Sequence, residues 1–135
     1  MPFVNLTPDF AVAPQLGLDD LDAAKAAGFR TIVNNRPDGE APDQPAEAEI
    51  ARRAAELGLD YRFIPVISGQ FGASEVDAFR EALDVCEGPV VAFCRSGTRS
   101  TFMWAFAMAG EMPGEEIIAT AARAGYDLSA LRGRI

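Results

Sequence analysis

The run PVVAF, Pro89 to Phe93, carries no polar side chain. A strand that is apolar on both faces must be covered on both faces, which is the situation of a central strand in a parallel sheet packed between helices. The rest of the chain fits that frame by alternating short strands with helices. FAVAPQ (Phe10 to Gln15) reads as an edge strand or an extended lead-in, and LDDLDAAKAAG as a helix stopped by Gly28. RTIVNN (Arg30 to Asn35) is a β-branched strand, and RPDGEAPDQP is a loop dense in Pro, Gly and Asp. PAEAEIARRAAELG follows as a helix with Pro45 in its first turn, then YRFIPV (Tyr61 to Val66) as a strand and ISGQFG as a loop. Ser74 is placed to N-cap the helix EVDAFREALDVC, with Phe79, Leu83 and Val85 near one face. After the apolar strand and the RSGTRS loop comes STFMWAFAMAG, a helix apolar enough to be buried, starting near Arg99 or Ser100. Pro113 and Gly114 break it, and EEIIATAARAG and LSALRG close the chain as one or two short helices. The expected fold is α/β: three layers, a mostly parallel sheet with right-handed crossovers, flanked by helices. We read residues 1–135 as a single domain, because 135 residues suit one compact core and 49% of them are hydrophobic.

Composition removes several classes of function. A formal net charge of −8 argues against a nucleic-acid partner, since neutralising phosphates needs surplus positive charge. Of 12 basic residues only Lys25 is a lysine, a bias that suits oxyanion recognition but that, for the set as a whole, a GC-rich genome explains better. The chain has no histidine, the usual general base and commonest metal ligand, so with two cysteines no metal site is expected and no cofactor is implied. No apolar stretch approaches the length of a membrane span, and no opening segment pairs a basic start with an apolar run. The expectation is a cytoplasmic chain, without a membrane partner, whose two thiols, Cys86 and Cys94, are reduced. The oligomeric state is left open.

The sequence CRSGTRS follows the central strand directly, at the strand edge where ligands bind in open α/β sheets. Three features there favour a thiolate on Cys94. The loop can curl so that successive N–H groups point inward, the next helix aims its positive end at the same place, and Arg95 and Arg99 add full charges. Gly97 permits the tight curl, while Ser96, Thr98 and Ser100 are small and carry hydroxyls. The arrangement suits an oxyanion held above a sulfur nucleophile. Cys86 lacks this setting; with Asp84 and Glu87 as neighbours it reads as a structural thiol that resists ionisation.

At these residues the chain resembles two related families. CRSGTRS is similar to the active-site loop of rhodanese-type sulfurtransferases, where the cysteine carries a persulfide. The strand–cysteine–loop–arginine–serine–helix order also resembles protein tyrosine and dual-specificity phosphatases, although four residues rather than five separate Cys94 from Arg99 and Phe93 stands where most of those enzymes have histidine. Over about residues 3 to 125, the order NNRPDGEAPDQP, helix, YRFIPVISG, helix, cysteine strand is similar to the bacterial DUF442 group, the phosphatase-like domain of beta-lactamase hydrolase-like proteins, some of whose members carry a sulfurtransferase label. The resemblance implies a protein tyrosine phosphatase-like fold with Cys94 as nucleophile, Arg99 as oxyanion clamp and Ser100 as the hydroxyl that stabilises the thiolate or helps break down the intermediate. Arg95, Ser96, Gly97 and Thr98 would complete the oxyanion cradle.

The small dual-specificity enzymes carry an aspartate general acid in the loop that here reads ISGQFG, which has no acid. Asp38, Glu40 and Asp43 in the earlier loop are candidates by chain order alone. Without a positioned acid, alkyl phosphates would be poor substrates, because their leaving group needs a proton. Three functions stay open: a phosphatase-like hydrolase working through a phosphocysteine on Cys94, a sulfurtransferase carrying a Cys94 persulfide, and a non-catalytic oxyanion-binding or redox-sensing module. The corresponding partner is a phosphate or other oxyanion substrate, or a thiosulfate or persulfide donor.

Overall fold

The computed structural model describes residues 2–135. Its elements are β1 (Val4–Thr7), β2 (Phe10–Ala13), α1 (Leu18–Ala26), β3 (Thr31–Asn34), α2 (Glu47–Glu56), β4 (Asp60–Phe63), α3 (Ala73–Val85), β5 (Val90–Phe93), α4 (Thr98–Met108), α5 (Gly114–Arg123) and a 3-10 turn, Ser129–Leu131. The strands form one sheet in the order β1-β2-β5-β3-β4. β1 runs antiparallel to β2, and every other pairing is parallel. PVVAF therefore supplies the middle strand, as its lack of polar side chains requires, and all four residues of β5 are buried.

Side-chain alternation divides the core into two layers. Val90 and Ala92 of β5, with Phe10 and Val12 of β2, face Phe79 of α3, Met103 and Trp104 of α4 and Ile117 of α5. Val91 and Phe93, with Ala11 and Ala13, face Leu21 of α1 and Ile50 of α2. The Phe10 and Trp104 rings stack at 6.4 Å, tying β2 to the buried helix that follows the cysteine loop.

Four details depart from expectation. FAVA is not at an edge: β1 adds outside it through the Thr7–Asp9 reversal, so β2 is flanked on both sides and wholly buried. β1 carries little pattern of its own, since only Leu6 of its four residues is buried. Ser74 does not cap α3. The helix begins two residues earlier than that, at Ala73 behind an extended Gly72, and the Ser74 hydroxyl donates to Glu75 instead. Val85 lies about 240° round the helix from Phe79, six residues on, and is exposed. Lastly, α2 starts at Glu47, so Pro45 precedes the helix rather than opening it.

Beyond Phe63 the β4 segment stays extended without a partnered ladder. The amides of Ile64 and Val66 still donate to the carbonyls of Asn34 and Asn35. This brings the Val66 carbonyl, the Asn35–Arg36 pair after β3, Gln15 after β2 and Cys94 after β5 to one edge of the sheet.

Candidate active site

Cys94 is fully buried where β5 ends, and its amide donates to the Ala13 carbonyl. The chain then reverses into α4. Gly97 is the N-cap at φ 91°, a left-handed conformation that residues with a Cβ rarely adopt, and its N–H donates to Cys94 Sγ at 3.1 Å. Arg99 and Ser100 lie in the first turn of α4, where no intrahelical acceptor exists for their amides. Those two N–H groups, with those of Arg95 and Ser96, make no hydrogen bond among the described residues. The loop thus carries backbone donors without protein partners at the positive end of a helix, beside a buried thiol.

Tyr126, after α5, closes the loop from outside. Its hydroxyl donates to the Ser96 carbonyl, and a Cβ at Gly97 would collide with it. Burial, and to a lesser degree the nearby Cys94, pushes the Tyr126 phenol up, so it stays protonated and keeps this bond. Gly97→Ala combines a disallowed φ with that collision. We expect it to lower stability by about 1–3 kcal/mol and to weaken anion binding. Thermal unfolding beside phosphate titration would show both; a variant unchanged in both would mean that the curl does not depend on glycine.

The two arginines of the loop separate cleanly. Arg95 is exposed, whereas Arg99 is buried and fully engaged. Arg99 Nη1 donates to Glu40 Oε2 at 2.8 Å and to the Val66 carbonyl at 2.9 Å, and its Nη2 donates to Glu40 Oε1 at 2.9 Å. A second buried cation meets the same carboxylate: Arg36 Nε donates to Glu40 Oε1 at 3.0 Å, and Arg36 Nη1 to Gln15 Oε1 at 3.0 Å. Hydrogen bonding to Arg99 is the main reason the Glu40 carboxyl sits below its usual range, with burial opposing and Arg36 assisting.

This geometry bears on the three candidate acids. Glu40 is the one that reaches the site, but two guanidiniums hold it ionised, so in this arrangement it carries no proton to donate at neutral pH. Its depressed folded-state value means that the pair adds stability at neutral pH, which is lost as pH falls through that value. The Asp38 carboxylate accepts the Glu47 amide at the start of α2, and Asp43 is exposed.

Ser100 is buried in the loop, and its hydroxyl donates to Asn35 Oδ1 at 2.8 Å. Asn35 Nδ2 in turn donates to the Ile64 carbonyl at 2.9 Å, which fixes the amide orientation. The Ser100 proton is therefore committed to Asn35 here rather than to sulfur. Ser96 and Thr98 are exposed, with their hydroxyls 3.0 Å apart. Cys86 is half-buried, and its thiol is pushed up by burial first and by Asp60 next, not by the Asp84 and Glu87 neighbours that the sequence suggested. Arg36, Asn35, Gln15 and Tyr126 were missed. For Asn35 and Arg36 a signal existed, since polar residues directly after a parallel strand stand at the ligand-binding edge; for Tyr126 none did.

Residues 2–111 match the family model described as the phosphatase-like domain of beta-lactamase hydrolase-like protein. A beta-lactamase hydrolase-like protein of Xylella fastidiosa is 37% identical over 133 residues, covering 95% of this chain and 30% of its own length. The chain thus spans less than a third of that relative. A Neisseria meningitidis protein, solved as "a putative phosphatase", is 35% identical, with a TM-score of 0.87, over 99% of this chain and 96% of its own. Tk-PTP shares the fold at a TM-score of 0.68, with 19% identity over 99% and 98% of the two chains. A five-stranded, mostly parallel sheet with a cysteine loop at its carboxyl edge is thus a protein tyrosine phosphatase-like architecture, and the chain belongs to the family of beta-lactamase hydrolase-like phosphatase domains.

Proposed function

We propose that the chain is a phosphatase that works through a covalent phosphocysteine on Cys94. The observation that carries this reading is the loop itself: a buried sulfur that accepts an amide, followed in the loop by four amides without hydrogen-bond partners among the described residues, at a helix N-terminus. The Cys94 thiolate attacks phosphorus and forms an S–P bond while the bond from phosphorus to the leaving oxygen breaks. That oxygen departs with the electron pair. Water then attacks phosphorus, the S–P bond breaks, and orthophosphate and the thiolate are released. The loop amides and Arg99 stabilise charge on the equatorial oxygens throughout.

Glu40, the candidate acid that reaches the site, is bound by two guanidiniums that keep its carboxyl below the usual range, so aryl phosphates, whose leaving group needs a proton least, are the expected model substrates. The same feature keeps the sulfurtransferase reading alive, together with the four-residue spacing from Cys94 to Arg99. In that reaction the thiolate attacks the outer sulfur of thiosulfate and sulfite leaves, with no proton donor required. A steady-state assay on an aryl phosphate beside a thiosulfate-to-cyanide assay separates the two. Phosphate release, with a phosphorylated Cys94 peptide trapped by acid quench, is the expected result. Turnover of thiosulfate alone would replace the phosphatase by the sulfurtransferase, and binding of phosphate without either turnover would leave an anion-binding module.

A further inference from the structure

Two cations and one anion meet beside the cradle. The side chains of Arg36 and Arg99 are only 5% and 9% exposed, while that of Glu40 is 29% exposed. The cations are built into the floor of the site, after β3 and in α4; the anion reaches them from a surface loop. Arg36 has no other acidic partner among the described residues, since its remaining contact is to the neutral amide oxygen of Gln15. The backbone of Glu40 follows Gly39, at φ 79°, and its amide is held by the Gln44 side chain.

A phosphoryl group in the cradle needs the Arg99 guanidinium, whose two Nη groups both hold Glu40 in this structure. Once they turn to the phosphoryl oxygens, the Glu40 carboxylate loses its larger partner and faces a like charge. Its departure would leave Arg36 buried and unpaired, an unfavourable state that another anion relieves. We propose that the position between Arg36 and Arg99, filled here by the Glu40 carboxylate, is a subsite for a second anionic group of the substrate. The favoured substrates are then phosphate esters or anhydrides with a further phosphate or carboxylate next to the scissile group. This rests on the phosphatase reading above.

The test is titration calorimetry on the Cys94→Ser chain, which binds without turnover, using orthophosphate, pyrophosphate and phosphoglycolate. The two larger probes should bind about tenfold tighter than orthophosphate, the value of one charge-assisted contact. Adding Arg36→Gln should close that gap. Adding Glu40→Gln should tighten all three probes, because the resident carboxylate no longer competes. Should Arg36→Gln unfold the chain, Arg36→Lys carries the test, since an ammonium cannot span the same two contacts and should narrow the gap. An Arg36-dependent gap for one probe alone supports the subsite and names its group. Orthophosphate binding with no gap, or a gap indifferent to Arg36, overturns the subsite and leaves the cradle standing. If none of the three anions binds, the cradle and the subsite both fall.

Discussion

Cys94→Ser will lower turnover of an aryl phosphate by on the order of 10⁴-fold or more while leaving orthophosphate binding within a few-fold of the parent chain. The two halves of this result come from different atoms. Nucleophilic attack needs an ionised group, and a serine hydroxyl ionises far less readily than a thiol. Binding relies on the loop amides and Arg99, which the substitution does not touch. A serine oxygen can also accept the Gly97 amide that now points at Sγ, so the loop keeps its curl. Calorimetry with phosphate beside the kinetic assay reads both halves. Retained turnover would end the thiolate mechanism. Lost binding would mean that sulfur, rather than the backbone, organises the cradle.

Arg99→Lys should cost roughly 100–1000-fold in kcat/KM, the usual effect of removing one stabiliser of transition-state charge. Arg99 is almost wholly buried, and its planar head spans the Val66 carbonyl and the position that Glu40 holds. An ammonium has no second prong to hold the two at once. The contrast is Arg95→Ala, one loop position after the cysteine, where the side chain is exposed and forms no ion pair among the described residues. Its loss should change kcat/KM by less than about fivefold, through long-range charge that salt screens. Measuring both variants at low and high ionic strength, with thermal unfolding as the control for folding, tests the division of labour. Equal losses would show that Arg95 also reaches the anion. A mild effect of Arg99→Lys would place the clamp elsewhere, with Arg36 the next cation in line.

Much of the frame was legible in the sequence because it is written in local pattern. A run without polar side chains has one comfortable place, the middle of a covered sheet, and β5 is there. A cysteine at the end of such a strand, followed by glycine and small hydroxyl residues before an apolar helix, implies a tight reversal over the sulfur, and Gly97 at φ 91° makes that reversal. That only one of the two arginines need face inward could also be expected from the loop, and the family resemblance named Arg99 as that one; Arg99 is buried and Arg95 exposed.

The sequence by itself determined the alternation of strand and helix, the central strand and the loop that wraps the thiol, because each depends on neighbours within a few residues. Only the tertiary structure decided who meets whom at the edge of the sheet. Glu40 and Arg99 are 59 residues apart, and Asn35 and Ser100 are 65 apart. Their meeting depends on β3 lying directly beside β5, a strand order that no local pattern encodes. The same holds for Tyr126 over Gly97 and for β1 outside β2. The electrostatics follow from that order: the Glu40 carboxyl titrates below its ordinary range because folding carries it to two guanidiniums, Arg99 first and Arg36 second, whose hydrogen bonds favour the ionised form against the opposing cost of burial.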